Sequence, residues 1–166
     1  VDLEHVRAPF LSKPTFGTTQ GLQPEPWRTQ PSVSGTAMQA LFTRCIQSLQ
    51  DVDVAVARLI ATLRNVHQLR HTYVFFVSDN GVLLGEHRMF GKDLLFEEAL
   101  RVPLVVRVPG ARRGHSSRLP VTLTDLAPTI VSLAGATAGR RPDGRSFAGV
   151  LHGHRVPWRD TQLIQS

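Results

Sequence analysis

Tyr73-Val-Phe-Phe-Val-Ser-Asp-Asn-Gly81 decides how the rest of this chain is read. Thr72 to Val77 is a short, continuous run of aromatic and β-branched residues, the pattern of a central strand buried on both faces. Ser78-Asp79-Asn80-Gly81 then breaks it with a polar turn. In open α/β sheets ligands gather at the carboxyl ends of strands, where loops converge on a rigid sheet. A carboxylate beside a carboxamide offers hard oxygen ligands, suited to Ca²⁺ or Mg²⁺. The competing reading is an Asx turn in which Asp79 or Asn80 caps the strand exit, and Asp-Asn-Gly taken alone favours it.

Lys92 shifts that balance. It follows a glycine in an otherwise apolar loop, a compact cation where an oxyanion could sit, and only Lys13 shares its residue type. Taken alone, it reads as a solvated loop lysine.

Upstream, Met38, Phe42, Cys45, Leu49, Val52, Val56, Leu59, Leu63 and Val66 recur in steps of four and three with no Gly or Pro between them. That spacing predicts one long amphipathic helix with Cys45 on its buried stripe. Downstream, the pattern predicts a short helix over Leu94 to Leu100 and a strand over Leu104 to Val108, fenced by Pro103 and Pro109-Gly110. Thr124-Asp125 offers an N-cap, Pro128 falls in the first turn and Gly135 supplies a stop, so a helix is expected over Asp125 to Ala134. A last short helix fits Phe147 to Leu151. Helices alternating with strands argue for an α/β sheet. Five prolines and three glycines make residues 1–36 an irregular segment. Residues 37–151 then form one domain and 152–166 a tail.

The 166 residues, 42% of them apolar, suit one compact domain. Apolar runs are far shorter than the roughly 20 residues that cross a bilayer, and no signal-peptide pattern follows Val1. Val1 itself reads as a fragment boundary or an alternative start. The formal charge of +6 comes almost wholly from scattered arginines. A nucleic-acid footprint would be a clustered stripe with interleaved aromatics, so no nucleic-acid partner is expected. One cysteine excludes an internal disulfide and a thiolate zinc cluster.

Taken together, Val77-Ser-Asp-Asn-Gly81, Gly85-Glu-His87, Gly91-Lys92, Glu97-Glu98, Arg101-Val-Pro-Leu104 and Pro109-Gly110 resemble the sulfatase family in order and spacing. Ser48 to Asp53, Thr124-Asp-Leu-Ala-Pro-Thr129, Ala134-Gly135 and Asp143-Gly-Arg-Ser146 extend the resemblance over about residues 38 to 150. Its flavour is that of bacterial arylsulfatases and N-acetylglucosamine-6-sulfatase-like members. The resemblance implies part of an alkaline-phosphatase-like α/β sandwich, a mostly parallel central sheet flanked by helices. It implies hydrolysis of a small-molecule or glycan sulfate ester with a divalent cation, calcium by preference with magnesium as the alternative, and a formylglycine made from cysteine or serine. Asp79 and Asn80 match the family's later pair of metal ligands, and Lys92 matches its sulfate-binding lysine. Such charges neutralise the sulfate oxygens as the ester bond breaks.

The departures are equally specific. The family's nucleophile lies in Cys/Ser-x-Pro-x-Arg, whereas Cys45 is followed by Ile46-Gln-Ser-Leu49, and Ser12-Lys-Pro14 is followed by Phe16 in place of the arginine. Cys45 is therefore expected in the core. The early aspartate pair that completes the family's metal site is absent too. The chain thus reads as the carboxyl-side part of a sulfatase catalytic domain, inactive alone for lack of the formylglycine motif.

Near the start, Arg7-Ala-Pro-Phe10 resembles a family segment carrying histidine where Arg7 stands, and His5, two positions away, reads as an exposed terminal histidine with a substrate-side or leaving-group acid as the alternative. His87 matches a recurrent family residue that either supports the site residues from behind or serves the fold. His67 and His71 lack the glutamate of a zinc-protease helix, and His152-Gly-His154 reads as an exposed loop. Two alternatives stand beside the sulfatase reading: a phosphonate or phosphodiester hydrolase of the same superfamily, against which Asn80 speaks because those relatives often carry histidine there, and a non-catalytic remnant. An apolar strand edge left open in such a fragment is an aggregation hazard, so poor solubility is expected.

Overall fold

The structure, a computed structural model, describes residues 35–88, 90–92, 95–111 and 114–164. His5, Arg7, the Ser12-Lys13-Pro14 stretch and nearly all of the Pro/Gly-rich segment lie outside them. The chain divides into two compact units, each drawing on two separate stretches. Among the described residues the first comprises 35–66 and 80–102, and the second 67–79 and 103–164.

In the first unit, the four-three apolar spacing produces one helix, α1 (Gly35–Asn65), with Arg64 in the last turn, where a cation suits the helix dipole. Its stripe is not buried along its length, as the periodicity alone would suggest. Met38, Phe42 and Cys45 are half-buried, while Leu49 is 58% and Leu59 51% exposed. Cys45 is consequently a half-buried free thiol and not a core residue. Periodicity reports which face is apolar, and what covers that face lies outside the pattern.

The rest of this unit is a tight hairpin and one helical turn. β2 (Leu83–Leu84) pairs antiparallel with β3 (Phe90–Gly91), Leu83 opposite Gly91 and Leu84 opposite Phe90. The predicted helix over 94–100 is a single turn, α2 (Glu97–Leu100). Among the described residues of this unit, Leu83, Ala99 and Glu86 are buried.

The second unit opens with β1 (Val74–Val77), which pairs antiparallel with β4 (Leu104–Arg107) from Val74↔Arg107 to Val77↔Leu104. The expectation of a strand buried on both faces does not hold among the described residues. β1 has one strand neighbour, and Phe76 and Val105, directly opposite each other, are 42% and 62% exposed. A two-stranded ribbon covers neither its outer edges nor both of its faces. Arg107 pins the ribbon's start by donating Nη1–H bonds to the carbonyls of Leu69 (2.7 Å) and Thr72 (3.0 Å).

After β4 the chain runs through a 3₁₀ turn, Leu123–Asp125, into α3 (Leu126–Leu133), with Pro128 buried in its first turn. The Gly135 N–H bonds the Ser132 carbonyl (3.1 Å) and the Ala136 N–H the Val131 carbonyl (3.1 Å), closing α3 as a Schellman motif at the predicted stop. α4 (Ala148–Leu151) follows, and Phe147, Ala148, Asp125 and Thr129 form the buried centre here. No helix among the described residues is long and apolar enough to cross a membrane.

Candidate functional site

Asp79 ends the second unit's first stretch and Asn80 begins the first unit's second, so Asn80 and Lys92 share one unit. Asp79 is exposed and Asn80 half-buried. Asn80 Nδ2 donates to the Gly81 carbonyl (2.9 Å), a local side-chain-to-backbone bond. Its Oδ1 faces elsewhere and accepts from Lys92 Nζ at 3.1 Å. The β2–β3 hairpin makes that contact possible: with Leu83 opposite Gly91, the chain leaving β3 at Lys92 lies beside the chain entering β2. Twelve positions of sequence are folded back so that one cation meets one amide oxygen.

The turn is clamped from behind. The Gly81 N–H bonds the Ala99 carbonyl (2.8 Å), and a Cβ on Gly81 would sit 1.9 Å from the Glu98 carbonyl oxygen, so the two backbones approach more closely than any side chain permits. Glu98 also reaches His87: its Oε2 is 3.4 Å from Nε2, and the His87 ring stacks on Phe96 with centroids 4.0 Å apart. His87 adopts φ +56°, a left-handed conformation uncommon outside glycine. Glu86, buried beside it, accepts from the Leu84 N–H at 2.6 Å, which ties the hairpin turn to β2. The Glu86-His87 segment is thereby tied to β2 and to the start of α2.

Asp79 and Asn80 are the hard-oxygen type that a divalent cation of the calcium or magnesium class takes, but such an ion needs about six to eight oxygens. Among the described residues no group of three or more His, Cys, Asp or Glu could hold a metal. The donor chemistry fits, and the donor number is incomplete. His67 and His71 are exposed on a turn, and His152 Nε2 lies 3.2 Å from the Tyr73 hydroxyl.

Sequence reasoning undervalued Asp125, which it treated as a helix cap. The residue is 0% exposed, and its Oδ1 accepts from the Arg145 N–H (2.7 Å). Its Oδ2 accepts from the Thr122 N–H (2.8 Å), the Thr122 hydroxyl (3.1 Å) and the Arg159 guanidinium. Burial pushes its pKa up, but Arg159 and the backbone donors more than offset this, holding the carboxyl below the usual carboxylate range. Thr122, three residues earlier, was a readable signal of a reciprocal cap. Arg159, 34 residues later, gave none.

Comparison with known proteins matches the chain to one family. The Sulfatase family model covers residues 9–136. N-acetylglucosamine-6-sulfatase of Bos taurus is 35% identical over 127 residues, covering 75% of this chain and 23% of that protein. A protein solved in complex with its substrate D-glucosamine-2-N,6-O-disulfate superposes with a TM-score of 0.62 at 33% identity, over 67% of this chain and 23% of that one. The phosphonate monoester hydrolase of Agrobacterium radiobacter superposes with a TM-score of 0.71 at 28% identity, over 76% and 26%. The chain thus spans about a quarter or less of the length of these relatives. Because that family model matches well over half of the chain, the chain belongs to the sulfatase family.

Proposed function

We propose that this chain supplies the later half of the metal site and the sulfate-binding lysine of a sulfuric ester hydrolase acting on a sulfated sugar. The observation that carries this is the contact between Lys92 Nζ and Asn80 Oδ1, which sets a cation beside the hard-oxygen turn. Asp79 and Asn80 would hold a divalent cation, calcium by preference or magnesium. Such an ion, when bound, withdraws charge from the ester oxygens. Lys92 binds and orients the sulfate and opposes the charge that develops as the S–O bond to the leaving group breaks. The sugar assignment is supported by two relatives, an N-acetylglucosamine-6-sulfatase and a protein solved with a disulfated glucosamine. In the complete catalytic domain, β1 would enter a mostly parallel central sheet of the alkaline-phosphatase-like kind.

The second reading, a phosphonate monoester hydrolase, is favoured by the likeness to that enzyme. Both readings are tested in a complete catalytic domain carrying this block. The sulfatase reading expects a higher kcat/KM on a sulfated glucosamine than on a phosphonate monoester. Lys92→Ala should then lower kcat by about 10²–10³-fold, as loss of an oxyanion-stabilising group does, and Asp79→Ala should remove metal dependence. A preference for the phosphonate would favour the alternative, and an unaffected Lys92→Ala enzyme would sink both. The 166 residues alone, lacking Cys/Ser-x-Pro-x-Arg, should not turn over an aryl sulfate with calcium.

A further inference from the structure

The loop after α3 contains a cavity of about 610 Å³ lined by Arg141, Pro142, Asp143, Gly144 and Arg145. Two arginines and one aspartate are among these five consecutive residues, and Arg140 precedes them. None of these side chains joins an ion pair among the described residues. The Arg145 guanidinium instead lies 5.7 Å from the centroid of the Trp158 ring, an arrangement that orients a cation without neutralising it.

The loop's backbone is fixed before any ligand arrives. The Arg145 N–H is held by the buried Asp125 Oδ1 (2.7 Å), and the Phe147 N–H by the buried Thr129 hydroxyl (3.0 Å). A Cβ on Gly144 would fall 2.0 Å from the Thr124 carbonyl oxygen, so the loop lies backbone against backbone on the start of α3. A binding loop anchored through its main chain keeps its side chains available and avoids much of the ordering cost of association.

We infer that the Arg141–Arg145 loop is a binding subsite for a sulfated saccharide, its arginines taking a sulfate group and Asp143 a sugar hydroxyl. Guanidinium groups match a tetrahedral oxyanion with paired, charge-assisted hydrogen bonds. The carboxylate between them opposes a bare anion but accepts hydrogen bonds from a polyhydroxylated ring. That mixture distinguishes a sulfated sugar from inorganic sulfate. The choice of ligand rests on the sulfated-sugar reading above; the cavity and its anchoring do not.

The test is direct binding, without turnover, so it stands apart from the fate of Lys92. The full chain is titrated calorimetrically with a heparin-derived hexasaccharide, the same hexasaccharide after chemical desulfation, and inorganic sulfate. Arg141→Ala/Arg145→Ala should weaken hexasaccharide binding by about tenfold or more, the scale of one to two lost charge-assisted bonds. Arg58→Ala/Arg64→Ala removes the same charge from α1 and should change binding less than about twofold, as solvated charges do. Asp143→Ala should weaken the hexasaccharide and strengthen inorganic sulfate. Because the anchoring bond uses the Arg145 main chain, an unchanged thermal midpoint should accompany the double variant. Equal losses in the two double variants would overturn the proposal, as would undiminished binding of the desulfated sugar. A Lys92→Ala chain that binds the hexasaccharide normally supports a separate subsite, and loss of that binding would assign the sugar to the Lys92 turn instead.

Discussion

The turn after β1 and the segment entering α3 each present an aspartate within a polar stretch, and the protein treats the two in opposite ways. Asp79 is exposed, and its neighbour Asn80 offers Oδ1 to a lysine that is itself exposed. Asp125 is sealed, with main-chain donors, a hydroxyl and a guanidinium all delivered by the chain. A carboxylate whose donors are supplied internally is finished, and its work is to hold the fold. The turn at Asp79 and Asn80, exposed at Asp79 and meeting the exposed Lys92 through Asn80 Oδ1, is where the proposed function seats its ligand.

The largest expected effect tests the sealed half of that contrast. Asp125→Ala should cost about 3–5 kcal/mol, because it strands the Arg159 guanidinium and two backbone donors, and urea melts of the chain would measure it. An unchanged midpoint would mean that the network is not structural. The same carboxyl sets a pH dependence. Its folded pKa lies below the unfolded value, so its contribution is in place above the ordinary carboxylate range and is lost as pH falls through the lowered folded value. Asp125→Asn should flatten this acid limb.

Next in size is a matched pair of steric insults. Gly81→Ala drives a methyl into the Glu98 carbonyl and Gly144→Ala drives one into the Thr124 carbonyl. Each should cost about 1–3 kcal/mol, the range of overpacking. Gly144→Ala should also reduce hexasaccharide binding, whereas Gly81→Ala should leave it intact. If both abolished that binding equally, the two units would not be independent. The smallest effect belongs to the open half: Lys92→Ala should change stability by no more than about 0.5 kcal/mol, as surface substitutions do. A larger loss would make the lysine a structural strut.

These contrasts also mark what could be read from residues alone. α1, the stop at Gly135, the strand at 104–107 and the membership of the sulfatase family were legible, because each rests on local periodicity, backbone chemistry or a dense block of family motifs. Burial was not. The exposed Leu49 and Leu59 on α1 and the open Phe76–Val105 pair on the ribbon depend on what packs against them, which no local pattern encodes. The open pair keeps the expectation of poor solubility in force, and Val105→Lys should raise the concentration at which the chain stays monodisperse by light scattering. Asp125 was half legible, since Thr122 lies at capping distance while Arg159 is reached only through the tertiary fold.

The β2–β3 hairpin has one more implication, for how such a site can change over evolutionary time. Strand pairing moves in whole residues, and a one-residue slip turns every side chain to the opposite face. Since Leu83 and Leu84 are matched to Gly91 and Phe90, Lys92 cannot drift away from Asn80 by small steps. An insertion between β2 and β3 would either be absorbed as a bulge or carry the cation away altogether, which makes this position a switch between keeping the Lys92–Asn80 contact and losing it.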